Sequence, residues 1–263
     1  MGIQTLGADA CSTILEARGL FKHYGGVVAL SDGNFDLQRN EVHAVLGDNG
    51  AGKSTMLKLL SGAIQPDGGT VAIDGQPVSF RTPQDARDRG ISTVYQDLAL
   101  VNHLDAAANM FLGREVVRRG PLSWFGILDR KAMRERAVAE VRRLKVGIRS
   151  VDQTVLGMSG GQRQCVAIAR AVAFGTRIVI MDEPTAALGV RERGVVLDLI
   201  KEIRRLGMTV ILISHSMPDV FDVADRVTIL RLGRTVATLR TADTSVRDVV
   251  ALITGAHAPG VAA

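Results

Sequence analysis

Apolar residues in this chain fall in short, dense runs, each stopped by charged residues or glycine. Glu41–Leu46 and Ile91–Tyr95 are rich in apolar and β-branched residues, Arg177–Met181 and Met208–Ile213 contain the unbroken apolar runs Ile178–Met181 and Val210–Ile213, and all four predict buried strands. Ile14–Tyr24 predicts an opening strand closed by the Gly25-Gly26 turn, followed by extended pieces at Val27–Leu30 and Asn34–Leu37. Thr70–Gly75, after the Pro66–Gly69 turn, predicts a hairpin strand, and Arg226–Leu230 with Thr235–Leu239 a second hairpin. Helical spacing marks Ser54–Leu60, a capped start at Thr82–Arg87, Asp105–Leu112 and Asp129–Leu144. It returns from Ser159 through Ala173, over Arg191–Arg205 and, briefly, over Pro218–Ala224. From Asp97 to Val155 the strand pattern stops, so this stretch reads as a helical insertion interrupted by the irregular Gly120–Gly126. Ala256–Ala263 is rich in small residues and is expected to fray.

A chain of 263 residues with 46% apolar content suits one α/β domain carrying an insertion, or two small domains. No apolar run approaches the roughly 20 residues of a bilayer span, and the first residues lack the pattern of a secretory signal. Cys11 and Cys165 lie far apart without metal-ligand spacing, the usage of a reduced, cytosolic protein. The formal charge of +5 is compatible with nucleic acid, an anionic membrane surface or phosphate ligands. Its densest cluster, Arg130–Lys145, mixes arginines with Glu135, Glu140 and apolar positions, which describes a solvated helix face. Aromatic residues are few and no nucleic-acid module is present, so no nucleic-acid partner is expected.

Chemistry enters at Gly47-Asp48-Asn49-Gly50-Ala51-Gly52-Lys53-Ser54, which fits G-x-x-x-x-G-K-[ST] between a predicted strand and a predicted helix. Such a turn points its N–H groups inward at a helix start and attracts polyphosphate. Lys53 would reach the β- and γ-phosphates, and the Ser54 hydroxyl would ligate Mg²⁺. A second strand, Ile178–Met181, ends in Asp182-Glu183. Beside a phosphate loop, Asp182 suits Mg²⁺ coordination and Glu183 suits activation of the attacking water; alone, the pair would be a strand reaching solvent. His215 ends the Thr209–Ile213 run and could bond the γ-phosphate or orient Glu183 and water. Gln96 offers an amide oxygen to Mg²⁺ or to the water. Tyr24 reads equally as a cover on a core edge and as a ring for stacking on adenine. Ser159-Gly160-Gly161-Gln162 opens a helix and forms a second anion site, with hydroxyl, adjacent N–H groups and helix N-terminus. One nucleotide does not need two such sites from one chain; a head-to-tail dimer, each copy closing this loop over the other's nucleotide, resolves the surplus.

In this order, Gly47–Ser54, Gln96, Met158–Gln162, Ile178–Glu183 and Ser214-His215 resemble the ATP-binding subunit of an ABC transporter, over nearly the whole chain. The resemblance implies a P-loop NTPase cassette of α/β class: a RecA-like core with an antiparallel β subdomain, about 12–96 and 175–245. It implies an inserted α-helical subdomain at about 97–174, and the tail at 255–263, by its composition, is expected to be disordered. It further implies ATP and Mg²⁺ as ligands, with Gly47–Thr55 on the phosphates, Tyr24 on adenine and Asp182 as the metal aspartate. Gln96 becomes the joint between the lobes, Glu183 the base and His215 the switch histidine. Ser159, Gly161 and Gln162 become contacts to the partner copy's γ-phosphate. The implied partners are a second copy, a membrane permease and, through it, a solute-binding protein, at the cytoplasmic face of the cell membrane.

Asn109–Glu115, Met181–Leu188 and Ser214–Val220 are similar to the monosaccharide importers of the ribose, fructose and xylose type. Two departures stand out. Those ATPases are usually two fused halves, whereas here there is one phosphate loop and no internal repeat, which implies a homodimer with two equal sites. The loop after Glu183 reads Ala187-Leu188-Gly189 where the family usually has Ala-Leu-Asp, which bears on communication between the sites. The alternatives are a soluble ABC ATPase acting on ribosomes or DNA, an exporter, a regulatory ATPase, or an importer of another small solute.

Overall fold

The computed structural model describes residues 13–118, 120, 124 and 126–256. Cys11, the tail from residue 257 and most of the irregular Gly120–Gly126 stretch lie outside the described residues. The strands form one ten-stranded sheet in the order β5-β4-β1-β2-β10-β9-β3-β8-β7-β6. In chain order they are β1 Thr13–Tyr24, β2 Val27–Gln38, β3 Val42–Leu46, β4 Gly68–Ile73, β5 Gln76–Val78, β6 Ile91–Val94, β7 Ile178–Asp182, β8 Thr209–Ile213, β9 Arg226–Arg231 and β10 Arg234–Arg240. The helices are α1 Lys53–Leu60, α2 Pro83–Asp88, α3 Ala106–Phe111, α4 Arg130–Arg143, α5 Gly160–Val172, α6 Val190–Arg205, α7 Met217–Val223 and α8 Val246–Thr254.

The continuous apolar runs are continuous because both faces of their strands are covered. Successive side chains alternate sides: Val42, Ala44, Leu46, Val179, Met181, Val210 and Leu212 enter one apolar cluster with α5, α6 and the inserted helices. Val45, Ile178, Ile180, Ile211 and Ile213 enter the other, against α1 and the β1–β2 layer. The strands β9-β3-β8-β7-β6 run parallel, so the phosphate loop after β3, the carboxylates after β7 and the histidine after β8 leave the same end. The other half, β1, β2, β4 and β5, pairs antiparallel.

Several boundaries differ from the pattern reading, each for a tertiary reason. Val27–Gln38 is one strand, because Ser31 and Asp32, which break its apolar pattern, donate their N–H groups to the Gly233 carbonyl (2.7 and 3.2 Å). β6 stops at Val94, which leaves Tyr95 and Gln96 in the loop beyond. Tyr24 is the last residue of β1, ahead of the Gly25-Gly26 turn that pairs it with Val27. Helix α8 was not evident from apolar spacing, although Ser245 and Asp248 build a capping box and Gly255 ends it in the left-handed region. On α4 only Met133 and Ala137 are buried among its helical residues, so its arginines do face solvent.

Candidate active site

The phosphate loop is held open by its glycines. A Cβ on Gly47 would fall on the Leu230 carbonyl oxygen and 2.9 Å from the Ala51 Cβ. Gly52 sits at φ +102°, and a Cβ there would lie 2.8 Å from the Ala29 carbonyl oxygen. Gly52 is also the N-cap of α1, whose first turn has no acidic side chain to occupy its free N–H groups. Lys53 is buried and donates from Nζ to the carbonyls of Gly47 (2.8 Å) and Asp48 (2.9 Å). Burial lowers its pKa, against the opposing charges of Glu183, Asp48 and Asp182. Asp48, Asn49, Gly50 and Ser54 are exposed and Thr55 is half-buried.

Asp182 ends β7 beside Ile213 of β8. Burial raises its carboxyl above the ordinary range, opposed by Lys53, Lys58 and His215. Glu183 follows at φ +53°, and its N–H donates to the Ile213 carbonyl (2.9 Å). Burial likewise raises Glu183; His215 and Lys53 lower it and Asp182 adds to the rise. His215 Nε2 lies 2.8 Å from Glu183 Oε1, but without the alignment of a hydrogen bond, so that buried oxygen has no directed donor. Two half-buried carboxylates, a buried ammonium and a histidine thus share one end of the sheet. Gln96 is exposed, two residues past the β6 edge, and β6 pairs directly with β7 through Val94 and Met181.

The Ser159–Gln162 loop is built differently. Ser159 caps α5: its hydroxyl accepts from the Gln162 N–H (3.4 Å), while the Gln162 amide oxygen accepts from the Ser159 N–H (3.1 Å). A Cβ on Gly161 would lie 2.8 Å from the Glu192 Cβ of α6. The Ser159 hydroxyl and the Gly161 N–H hold the Glu192 carboxyl below its usual range. Among the described residues no hydrogen bond or ion pair joins Ser159–Gln162 to the phosphate loop. The structure therefore gathers Lys53, Asp182, Glu183 and His215 and leaves Ser159–Gln162 apart within one chain.

Some of the cradle escaped the sequence reading. Gly233, in the β9–β10 turn, donates its N–H to the Ala51 carbonyl (3.1 Å) and accepts from Ser31, which clasps the loop from outside. Leu230 and Ala29 shape it through backbone carbonyls. A Leu232-Gly233 turn between two strands was the available signal; backbone contacts leave none. Tyr24, 46% exposed, sits on the tip of the same β1–β2 hairpin, near exposed Val27 and Val28, with Lys22 Nζ 6.0 Å from its ring centroid.

A glycine cradle opening a helix, with a lysine, two carboxylates and a histidine at the carboxyl ends of parallel strands, defines a P-loop ATPase. The chain belongs to the ABC transporter family, whose model matches residues 30–186, and it is an ATPase of that family. It is 53% identical over 248 residues to a fructose import ATP-binding protein of Rhizobium meliloti, covering 94% of this chain and 95% of the relative. A ribose import ATP-binding protein of Burkholderia cenocepacia is 43% identical over 92% of this chain, which spans only 47% of that relative's length. The dimeric structure of the bacterial ABC transporter cassette MJ0796 superimposes with a TM-score of 0.71 at 25% identity, covering 87% of this chain and 99% of that one.

Proposed function

We propose that this chain is the ATP-hydrolysing subunit of a sugar importer, most specifically a monosaccharide importer. It would work as a head-to-tail homodimer on a separate membrane permease, at the cytoplasmic face of the membrane. The observation that carries the reading is the convergence of Lys53, Asp182, Glu183 and His215 beside a glycine cradle, in a chain alike end to end to a fructose import ATP-binding protein.

The residues fit ATP and Mg²⁺. The cradle has no room for a Cβ at Gly47 or Gly52, the Ser54 hydroxyl is exposed, and Asp182 is a half-buried carboxylate facing Lys53. Ser54, Asp182 and Gln96 would hold Mg²⁺, which when bound neutralises charge on the β- and γ-phosphate oxygens. The loop N–H groups from Gly47 to Thr55 bind the phosphates, and Lys53 exchanges its two carbonyl partners for phosphate oxygens. Glu183, its pKa raised, takes a proton from the attacking water. His215, its Nε2 2.8 Å from Glu183 Oε1, bonds the transferred phosphoryl group or orients Glu183 and the water. Ser159, Gly160, Gly161 and Gln162 of the second copy complete the charge stabilisation, so neither copy hydrolyses efficiently alone. Tyr24 covers the adenine. The groove lined by Tyr95 and Ala99 on either side of Gln96 in sequence, with Met110, Phe174, Arg87 and Arg114, takes the permease. That division of labour assigns the inserted helices, about 97–174, to a lobe that moves as nucleotide comes and goes.

Glu183→Gln should bind ATP and accumulate as a closed dimer in light scattering. A monomeric variant that hydrolyses rapidly would refute the role of Glu183. Tagging the chain and extracting membranes gently tests the wider reading. Recovery of a multi-span permease supports import, whereas recovery with ribosomes or DNA-repair proteins alone overturns it and leaves the ATP chemistry standing.

A further inference from the structure

We propose that Asp219 is a positioning residue which, through Thr185 and Arg193, sets the relation between Glu183 and His215; the proposal rests on reading Glu183 as the base. The loop after β7 needs such a support. Glu183 and Ala187 both sit in the left-handed region, at φ +53° and +58°, which side-chain-bearing residues adopt only where surroundings hold them. The backbone supplies part of the hold, through Glu183 N–H to the Ile213 carbonyl (2.9 Å) and Ala186 N–H to the Glu183 carbonyl (3.0 Å).

The remainder comes from one buried carboxylate. Thr185, two residues past Glu183, donates its hydroxyl to Asp219 Oδ2 at 2.7 Å. Asp219 lies four residues past His215, on α7. Both residues are buried, at 5% and 4% exposure. It is a buried side-chain hydrogen bond between the 183–189 loop and the 214–219 segment, beside the backbone N–H of His215 that bonds the Glu183 carboxylate. The other oxygen, Oδ1, lies 3.6 Å from Arg193 Nη1 on α6, and the Arg193 Nε is buried without a partner. A carboxylate removed from water is costly unless paired, and here its partners are drawn from the loop bearing Glu183 and from the helix after Gly189. Asp219 thus joins three segments, and the pair it spans, Glu183 Oε1 and His215 Nε2, stands 2.8 Å apart. Reacting groups displaced by about 1 Å can lose rate a hundredfold.

The test compares Thr185→Val, which keeps the shape and deletes the hydroxyl, with Thr185→Ser, which keeps the hydroxyl. Thr185→Val should bind MgATP with unchanged affinity and melt near the wild type, yet lose about tenfold to a hundredfold in kcat. Thr185→Ser should restore kcat, with KM for MgATP the same in both variants. Asp219→Asn, which weakens the acceptor with little change of volume, should lose kcat in the same direction; combined with Thr185→Val it should be no slower than the worse single variant. Wild-type kcat in both Thr185→Val and Asp219→Asn, a defect in Thr185→Ser equal to that of Thr185→Val, or additive losses in the double variant would each overturn the proposal. Should Thr185→Val not fold, Asp219→Asn and Thr185→Ser carry the test. Glu183→Gln separates the layers. If it is inactive while Thr185→Val is normal, the positioning role alone fails; if it hydrolyses normally, the base assignment fails first.

Discussion

Two glycine-rich loops open helices in this molecule, and they use glycine for different reasons. In the phosphate loop the backbone forbids a side chain: Gly52 is at φ +102°, and Gly47 and Gly52 press against the carbonyls of Leu230 and Ala29. Those carbonyls belong to strands and cannot retreat. In the Ser159–Gln162 loop the glycines have ordinary φ, and their neighbours belong to Leu188, 3.1 Å from a Cβ on Gly160, and to helix α6, whose Glu192 Cβ and Cα lie 2.8 and 3.4 Å from one on Gly161. The first loop is a rigid cradle set by the sheet. The second is a capped helix end packed on α6, able to yield when α6 does. On the proposed head-to-tail reading, a site assembled from one of each would bind nucleotide in the cradle and leave closure to the other loop.

The comparison breaks most sharply at Gly52→Ala. The left-handed backbone costs roughly 1–2 kcal/mol, and the clash with Ala29 adds to it, so nucleotide binding by equilibrium dialysis should be abolished along with some stability. The second effect in size is on pH. Glu183 must be ionised to act as a base, and its pKa is raised by burial, so turnover should begin to fall with acid above the ordinary carboxylate range. His215 is among the groups that lower that pKa, and His215→Ala should therefore move the acid limb of its residual activity to higher pH. A limb that stays put would show that Glu183 does not control the profile. Gly161→Ala should leave ATP binding to one chain intact and reduce turnover by several-fold, as α6 is pushed away at Glu192; an ATP-binding defect equal to that of Gly52→Ala would erase the distinction between the loops. The smallest change is Ser159→Ala, which removes a cap worth about 1 kcal/mol and should lower the denaturation midpoint slightly in urea melts without nucleotide.

Much of this was legible along the chain, for identifiable reasons. Continuous apolar runs marked β3, β7 and β8 because strands buried on both faces need no polar side. Punctuation at Gly47–Ser54 and Ser159–Gln162 marked the two helix starts because free N–H groups demand particular residues there. What stayed hidden depends on contacts between distant segments. Nothing near Ser31-Asp32-Gly33 announces a strand, since its partner carbonyl lies about 200 residues away at Gly233. Helix α8 is short, and its apolar positions find their partners only on the finished sheet, as with Val249 in the larger cluster. Asp219, four residues past a histidine, carries no signal of its own along the chain; its bond to Thr185, 34 residues away, exists only in the fold.

The sequence by itself determined the local chemistry: which turn can hold phosphate, which strand ends carry carboxylates, and which helix start can accept an anion. Those properties belong to residue types at fixed spacing, and spacing along a chain survives folding. Only the tertiary structure decided which of these share a site. Parallel pairing of β3, β8 and β7 brings Lys53, Asp182, Glu183 and His215 to one sheet end, and the packing of α5 on α6 leaves Ser159–Gln162 elsewhere. The burial that shifts the ionisation of Lys53, Asp182 and Glu183 is likewise a property of the assembled layers, because desolvation comes from neighbours that the chain supplies only once it has folded.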